Sequence, residues 1–353
     1  MYKLNILDVS SGIIANSTEQ ISRLNAEECL LIGSALFKNH RYGLAAEWMQ
    51  VSQQRFAEEG LTDSSVVTTT QAVIEIAVQH ARKNATVNAV RQLTTAYHEE
   101  LCRNADAKGV LSSYLRCYHE TYGNPFLLLQ PLEMEIISTK PSVIFIHRFL
   151  RDDQADQLVE IGRENVRRPK STYGATNRTN TAKRRLAKSA ALRANTSSFI
   201  QQIDRWSAMA TDLNSQYAES LQIKNYPVGG ALQLHFDVLQ QGPLNFTAPD
   251  RMATLLVYLN DVEHGGATIF PLLDLTVPAV KNGAVLWYNQ YKDGIPDGRT
   301  LHAGCPVLLG TKWVTIKWLH NIGHWRQRPC GLQEDSKNGL TVSQVHDLFK
   351  PSG

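Results

Sequence analysis

Two rhythms of apolar residues divide the chain. From Ala26 to Phe37, residues Cys29, Leu30, Ile32, Gly33, Leu36 and Phe37 recur at helical spacing. A polar break at Lys38–Arg41 follows, and Leu44, Ala45, Trp48, Met49 and Val51 resume the period between Tyr42 and Phe56. The same spacing predicts helices over 66–83 and 86–103, after a loop at 58–65. Paired helices with short turns predict a tetratricopeptide-like unit. Residues 104–140 carry Gly109, Gly123, Pro125 and Pro131 without a period, and read as an irregular connection.

Beyond that point the texture changes. Ser142–Phe149 reads as a strand, and Asp152–Asn165 as a helix opened by acidic residues. The polar, basic segment 176–188 is expected as a mobile loop, and 197–217 as another helix. Short β-like runs then dominate, at 221–226, 231–237, 253–260, 266–270, 283–288, 300–303 and 312–320, with Gly and Pro turns between many of them. A run of short strands after two helices predicts a double-sheet jelly roll with flanking helices. The fold class is therefore α+β: a helical domain at 20–103, a linker at 104–140, a jelly-roll domain at 141–335 and a tail at 336–353.

The second half carries a chemical pattern. His235-Phe236-Asp237 places an imidazole and a carboxylate two apart, and residues i and i+2 of a strand point to one side. His302 follows on a later strand. Two histidines and one carboxylate can hold one face of a ferrous ion and leave the other positions open for O2 and a bidentate 2-oxo acid. Lys312 opens the apolar run Trp313, Val314, Ile316, Trp318, which can bury its stem. A buried ammonium requires a partner, and the far carboxylate of a dicarboxylic 2-oxo acid would supply one. His320, at the end of that run, reads equally as a structural histidine or as an accessory contact.

Composition adds limits. At 353 residues two domains are expected, and 43% hydrophobic with 20% charged residues is ordinary for a globular protein. A net charge of +3 does not argue for nucleic acid. The basic clusters Arg167, Arg168, Lys170 and Lys183, Arg184, Arg185, Lys188 read as solvated loops. No apolar run approaches the roughly 20 residues that span a bilayer, and residues 1–16 lack a leader pattern. Asn-X-Ser/Thr triplets stand at Asn16, Asn84, Asn177, Asn195 and Asn245. Cys102 and Cys117 bracket one segment, Cys305 and Cys330 another, and Cys29 is left over. Two pairs and one buried thiol suit an oxidising compartment, and five reduced thiols in a cytosolic protein are the alternative.

Several extended motifs, in order, resemble the catalytic domain of the collagen prolyl 4-hydroxylase α subunit. They include Tyr226–Gly230, His235–Asp237, Arg251–Thr254, Tyr258–Pro271, Trp287–Asn289, Thr300–Val307 and Gly310–Val314, within 140–332. Leu101–Arg103 and Arg116–His119 resemble the family's connecting segment, and Leu24–Met49 its helical peptide-binding domain. The resemblance implies Fe(II) held by His235, Asp237 and His302, 2-oxoglutarate held by Lys312 with His320 at its other end, and Tyr226 and Thr254 among the cosubstrate contacts. It implies ascorbate as a further cofactor, and disulfides Cys102–Cys117 and Cys305–Cys330 with Cys29 free. The implied substrate is proline in procollagen X-Pro-Gly, in the endoplasmic reticulum lumen. The implied partner is protein disulfide isomerase as β subunit of an α2β2 assembly, which would carry the retention signal not seen at Pro351–Gly353.

Some positions depart from the family. Leu232 and Leu234 stand where an aromatic residue and a proline are usual, Ala191 stands where the family has tryptophan, and an acidic stretch after it is missing. The resemblance leads one to expect the family's dimerisation segment and leader to be largely missing from this sequence. Two alternatives follow: a subunit that binds proline-rich peptides with little or no catalysis, with Tyr42, Trp48 and Tyr97 as groove aromatics, or a prolyl hydroxylase of a non-collagen substrate.

Overall fold

A computed structural model describes residues 5–13, 22–39, 41–60, 70, 73–75, 98–103, 116–167, 187–239, 249–324, 326–329, 331 and 339–348. The chain divides into two compact units, Tyr2–Ala96 and Tyr97–Gly353.

The first unit holds helices α1 (Ile6–Ser10), α2 (Ala26–Lys38) and α3 (Tyr42–Glu58). The Asn25 side chain accepts from the Glu28 N–H while the Glu28 carboxylate accepts from the Asn25 N–H, which fixes the start of α2. Gly33 lets α2 approach α3 closely, since a Cβ there would lie 2.7 Å from Met49 Cγ. The Ser52 hydroxyl donates to the Ala26 carbonyl at 2.8 Å, closing the pair. Cys29 is buried and unbonded, as expected. The helices expected over 66–83 and 86–103 lie mostly outside the described residues.

The second unit is built on an antiparallel sheet of eight strands. In chain order the strands are β1 (Cys117–Glu120), β2 (Leu132–Thr139), β3 (Ser142–His147), β4 (Lys188–Leu192), β5 (Leu221–Tyr226), β6 (Leu232–His235), β7 (Arg251–Tyr258), β8 (His264–Gly265), β9 (Thr268–Phe270), β10 (Leu275–Val277), β11 (Ala284–Tyr288), β12 (His302–Gly304), β13 (Val307–Leu309) and β14 (Lys312–His320). The large sheet runs β1-β2-β3-β11-β7-β14-β5-β4; a second runs β10-β9-β12-β6, and β13 pairs with β8. The unit's helices are α4 (Pro125–Leu129), α5 (Asp152–Asn165), α6 (Ser198–Thr211) and α7 (Val342–Leu348).

Strand β7 shows how the sequence makes two cores. Leu255 and Val257 point to one face, where Leu158 of α5 and Ile200 and Ile203 of α6 cover the sheet. Leu256 and Tyr258 point to the other, and meet Phe270 of β9 and Val307 of β13. A strand covered on both sides reads as a continuous apolar run rather than an alternation. Each such side chain, once buried, contributes about 1.5–3 kcal/mol. Gly162 brings α5 down onto the sheet, since a Cβ there would lie 2.6 Å from the Trp313 ring.

Three expectations are corrected. Residues 117–139, expected within an irregular linker, supply β1 and β2, which extend the large sheet through β3. The segment lacks a clean alternation because β2 carries a register shift between Ile136 and Ser138. The expected tail contains α7, whose Val342 and Val345 pack with Phe236, Val238 and Leu301. The third concerns the cysteines: Cys102 bonds Cys305, with Cα atoms 5.6 Å apart, and Cys117 is free and exposed. Sequence proximity misled here, because folding brings residue 102 to residue 305. Cys330 and the loop at 176–186 lie outside the described residues.

Candidate active site

The ligand pattern converges. β12 lies antiparallel to β6 with His302 directly opposite His235, and Asp237 follows two residues after His235. The two imidazole centroids are 4.2 Å apart. His235 Nε2 lies 3.4 Å from Asp237 Oδ1, and His302 Nε2 lies 3.7 Å from Asp237 Oδ2. One ligand atom from each residue lies within 4.8 Å of the others.

Each ring is oriented by the same device. His235 Nδ1 meets the Gln233 carbonyl at 2.8 Å, and His302 Nδ1 meets the Thr300 carbonyl at 3.0 Å. A carbonyl only accepts, so both Nδ1 atoms carry the proton and both Nε2 lone pairs face the shared centre. Burial, and then His235 beside it, pushes His302 down to about 4, so it is a neutral imidazole near pH 7. Burial alone would raise Asp237. The two imidazoles and the Trp318 N–H outweigh it, and the carboxyl stays well below its ordinary range.

Asp237 is held from behind. Thr254 Oγ1 donates to its Oδ2 at 2.8 Å and Trp318 Nε1 donates to the same oxygen at 3.0 Å. Asn289 Nδ2 donates to Thr254 Oγ1 at 2.9 Å. The Arg251 guanidinium stacks on the Trp318 ring at 3.6 Å and is gripped by Glu219. Two imidazoles and a fixed carboxylate on one face of a cleft are a donor set that fits a divalent transition metal.

The triad opens into a cleft between the sheets, walled by Tyr226, Leu256, Trp287, Val314 and Ile316. Lys312 enters it from β14. Its Nζ donates to the Gly266 carbonyl at 2.6 Å, and Thr268 Oγ1 lies 3.5 Å away. The rings of Tyr258 and Tyr226 stand 5.2 and 5.7 Å from it. Gly266 sits at φ +70, and a Cβ there would crowd Val262 at 3.1 Å and touch the lysine stem at 3.5 Å. No carboxylate pairs with Lys312 among the described residues, and burial pushes its ammonium down to about 7. Trp287 Nε1 is likewise buried without a partner among the described residues. An unpartnered indole N–H and an ammonium without a counter-ion among the described residues, on the wall of one cleft, fit a polar bound group.

Of the residues expected at the site, His235, Asp237, His302, Lys312 and Tyr226 share this cleft. Thr254 is placed behind Asp237 rather than on the cleft wall, because its hydroxyl is bonded to the carboxylate. His320 is also placed elsewhere: its Nε2 lies 3.2 Å from Glu219 Oε1, and it is not among the wall residues. Sequence reasoning missed Trp318, Asn289 and Lys224. The inward parity of Lys312, Val314, Ile316 and Trp318 on one strand was the available signal for Trp318.

Residues 221–320 carry this cleft, and they match the family model described as the 2OG-Fe(II) oxygenase superfamily. That stretch is a 2OG-Fe(II) oxygenase domain. Over 221 residues the chain is 40% identical to prolyl 4-hydroxylase subunit alpha-3 of Rattus norvegicus, covering 61% of this chain and 40% of that protein. It is 36% identical over 244 residues to subunit alpha-1 of Homo sapiens, covering 67% and 46%. It is 29% identical over 385 aligned residues to subunit alpha-2 of Caenorhabditis elegans, covering 95% and 71%. The matched part of the chain is similar to prolyl 4-hydroxylase α subunits, and the chain spans about two fifths of the alpha-3 relatives' length. Among solved structures, a viral collagen prolyl hydroxylase from Paramecium bursaria Chlorella virus-1 in complex with 2OG superposes with TM-score 0.41 at 22% identity, covering 51% of this chain and 96% of that one.

Proposed function

We propose that the chain hydroxylates peptidyl proline to 4-hydroxyproline, consuming O2 and 2-oxoglutarate and releasing succinate and CO2. The observation that carries this reading is Lys312: a buried ammonium with no carboxylate beside it among the described residues, on the same cleft as the ligand triad. His235, Asp237 and His302 would hold Fe(II), which when bound supplies the activation of O2 coupled to oxidative decarboxylation of a 2-oxo acid. Lys312 takes the far carboxylate of 2-oxoglutarate, and burial strengthens that contact. Leu256, Val314, Ile316 and Trp287 keep water from the acid's stem. Trp318 and Thr254 hold Asp237 Oδ2, which orients the carboxylate at the metal.

The reading extends further by kinship. The substrate is proline in procollagen-like X-Pro-Gly repeats, and ascorbate restores iron oxidised in turnovers that miss the peptide. The helical unit, tetratricopeptide-like, holds the proline-rich chain. The partner is protein disulfide isomerase in an α2β2 assembly, and the compartment is the endoplasmic reticulum lumen. The support is the prolyl 4-hydroxylase relatives and the intact ligand set.

The test is direct. Folded protein loaded with ferrous iron is incubated with 2-oxoglutarate, ascorbate and a (Pro-Pro-Gly) peptide, and succinate and hydroxyproline are measured together. Peptide-dependent succinate with matching hydroxyproline is expected. Peptide binding without either product would leave only a binding subunit, and hydroxylation confined to other proline-rich proteins would move the substrate away from procollagen.

A further inference from the structure

We infer that Lys224 is a second cosubstrate anchor: its ammonium takes the metal-proximal carboxylate of the 2-oxo acid, the place the family resemblance gives to His320. The inference rests on the oxygenase reading above. Strand β5 lies against β14 with Lys224 opposite Val314 and Tyr226 opposite Lys312. Val314, Tyr226 and Lys312 all line the cleft, and so does Lys224. Two lysines therefore enter one cavity from adjacent strands.

They serve opposite ends of it. Lys312 Nζ is tied to Gly266 and Thr268. Lys224 Nζ instead lies 5.1 Å from the centroid of Trp318, the ring whose N–H bonds Asp237 Oδ2. The Lys224 ammonium thus stands at the metal end, and the Lys312 ammonium at the far end. A dicarboxylic 2-oxo acid carries one carboxylate for each, and opposite charges attract strongly where the walls exclude water.

His320 is committed elsewhere. It pairs with Glu219, which also grips Arg251, and the three form a cluster at the ends of β7 and β14, with Arg251 Nη1 3.5 Å from the Asp237 carbonyl. Arg251 pairs with His320 across the strands, and its guanidinium covers the Trp318 ring.

The experiment separates the two ends with two probes. 2-Oxoglutarate engages both, whereas pyridine-2-carboxylate chelates a metal through its one carboxylate and has no distal acid. Each is titrated calorimetrically, without O2, into ferrous protein carrying Lys224→Met, Lys224→Arg or Lys312→Met. Lys224→Met is expected to weaken both probes by about tenfold or more, the scale of one charge-assisted hydrogen bond. Lys224→Arg keeps the charge and is expected to stay within about threefold of the parent. Lys312→Met is expected to weaken 2-oxoglutarate and to spare pyridine-2-carboxylate. If Lys224→Met binds both probes like the parent, or loses only peptide affinity, the inference is overturned and the oxygenase reading stands. If the parent protein takes up neither ferrous ion nor either probe, the oxygenase reading falls and this inference falls with it.

Discussion

Replacing Lys312 by methionine should make the metal-free protein more stable and unable to hold 2-oxoglutarate. Lys312 is only 4% exposed, and burial is the sole cause that brings it from 10.5 to about 7. At about 1.36 kcal/mol per pKa unit, the folded state carries a cost of ~5 kcal/mol for holding that ammonium without a counter-ion. Methionine fills similar volume and removes the charge. It also removes the bond to the Gly266 carbonyl, which returns about 1 kcal/mol of the gain. A net stabilisation of about 1–4 kcal/mol is expected, as for other buried ions replaced by apolar groups. The pH sign follows from proton counts. Below about pH 7 the folded and unfolded chains both hold the Lys312 proton, so the whole cost is present. Between about 7 and 10.5 the unfolded chain holds more protons, so the parent gains stability as pH rises. The advantage of Lys312→Met is therefore largest near pH 6 and shrinks by about pH 9. Denaturant melts of the metal-free parent and variant at both pH values measure it. Calorimetry on the ferrous forms should show 2-oxoglutarate affinity reduced at least about thirtyfold, the low end for truncating one partner of a buried charge pair. A variant less stable than the parent at both pH values, or one that keeps its 2-oxoglutarate affinity, would refute the reasoning.

Trp318→Phe removes the N–H that holds Asp237 Oδ2, and metal affinity is expected to fall about 10–100-fold in competition with a chelator; an unchanged affinity would show that Thr254 suffices alone. Val345→Asp places a carboxylate beside Phe236 and Leu301, the neighbours of the metal ligands, and should destabilise by about 3–5 kcal/mol in melts; a stability equal to the parent's would show that α7 does not support the site. Non-reducing peptide maps should recover Cys102 joined to Cys305, and Cys305→Ser should cost about 2–5 kcal/mol; recovery of Cys102 joined to Cys117 would refute that pairing.

The convergence of His235 with Asp237 and the inward place of Lys312 were readable from the sequence because strand parity is local. Residues two apart share a face, so His235 with Asp237, and Lys312 with Val314 and Ile316, declare their side from a few letters. The helix Asp152–Asn165 and the strands Leu221–Tyr226 and Lys312–His320 were equally plain, and the structure gives them the same bounds. What failed was non-local. β1 and β2 read as linker because a register shift and interior glutamates blur their alternation, and only pairing with β3 shows them as strands. The cysteine pairing implied by the family resemblance differs from the structure, where closure of a 203-residue separation depends on the whole fold. Nothing local in the sequence marks Lys224. Its place on the cleft appears only when β5 is laid against β14 with Lys224 opposite Val314.

The same distinction explains how the site is supported. The two imidazoles each have a local hydrogen bond that sets the tautomer, whereas the Asp237 carboxylate is fixed by Thr254 and Trp318 from distant strands. His235 and His302 use carbonyls two residues back, yet Phe236 and Leu301 beside them rest on Val342 and Val345 of α7. Gly298 bonds Leu340 through its N–H, and a Cβ there would strike the Thr341 backbone at 2.6 Å. The loop that delivers His302 is thus locked against the segment at 340–345. Asp237 depends on Thr254 of β7 and Trp318 of β14, adjacent strands of the large sheet. Its orientation therefore reports the register between those strands. A one-residue slip would turn Trp318 to the opposite face and take its N–H from the carboxylate.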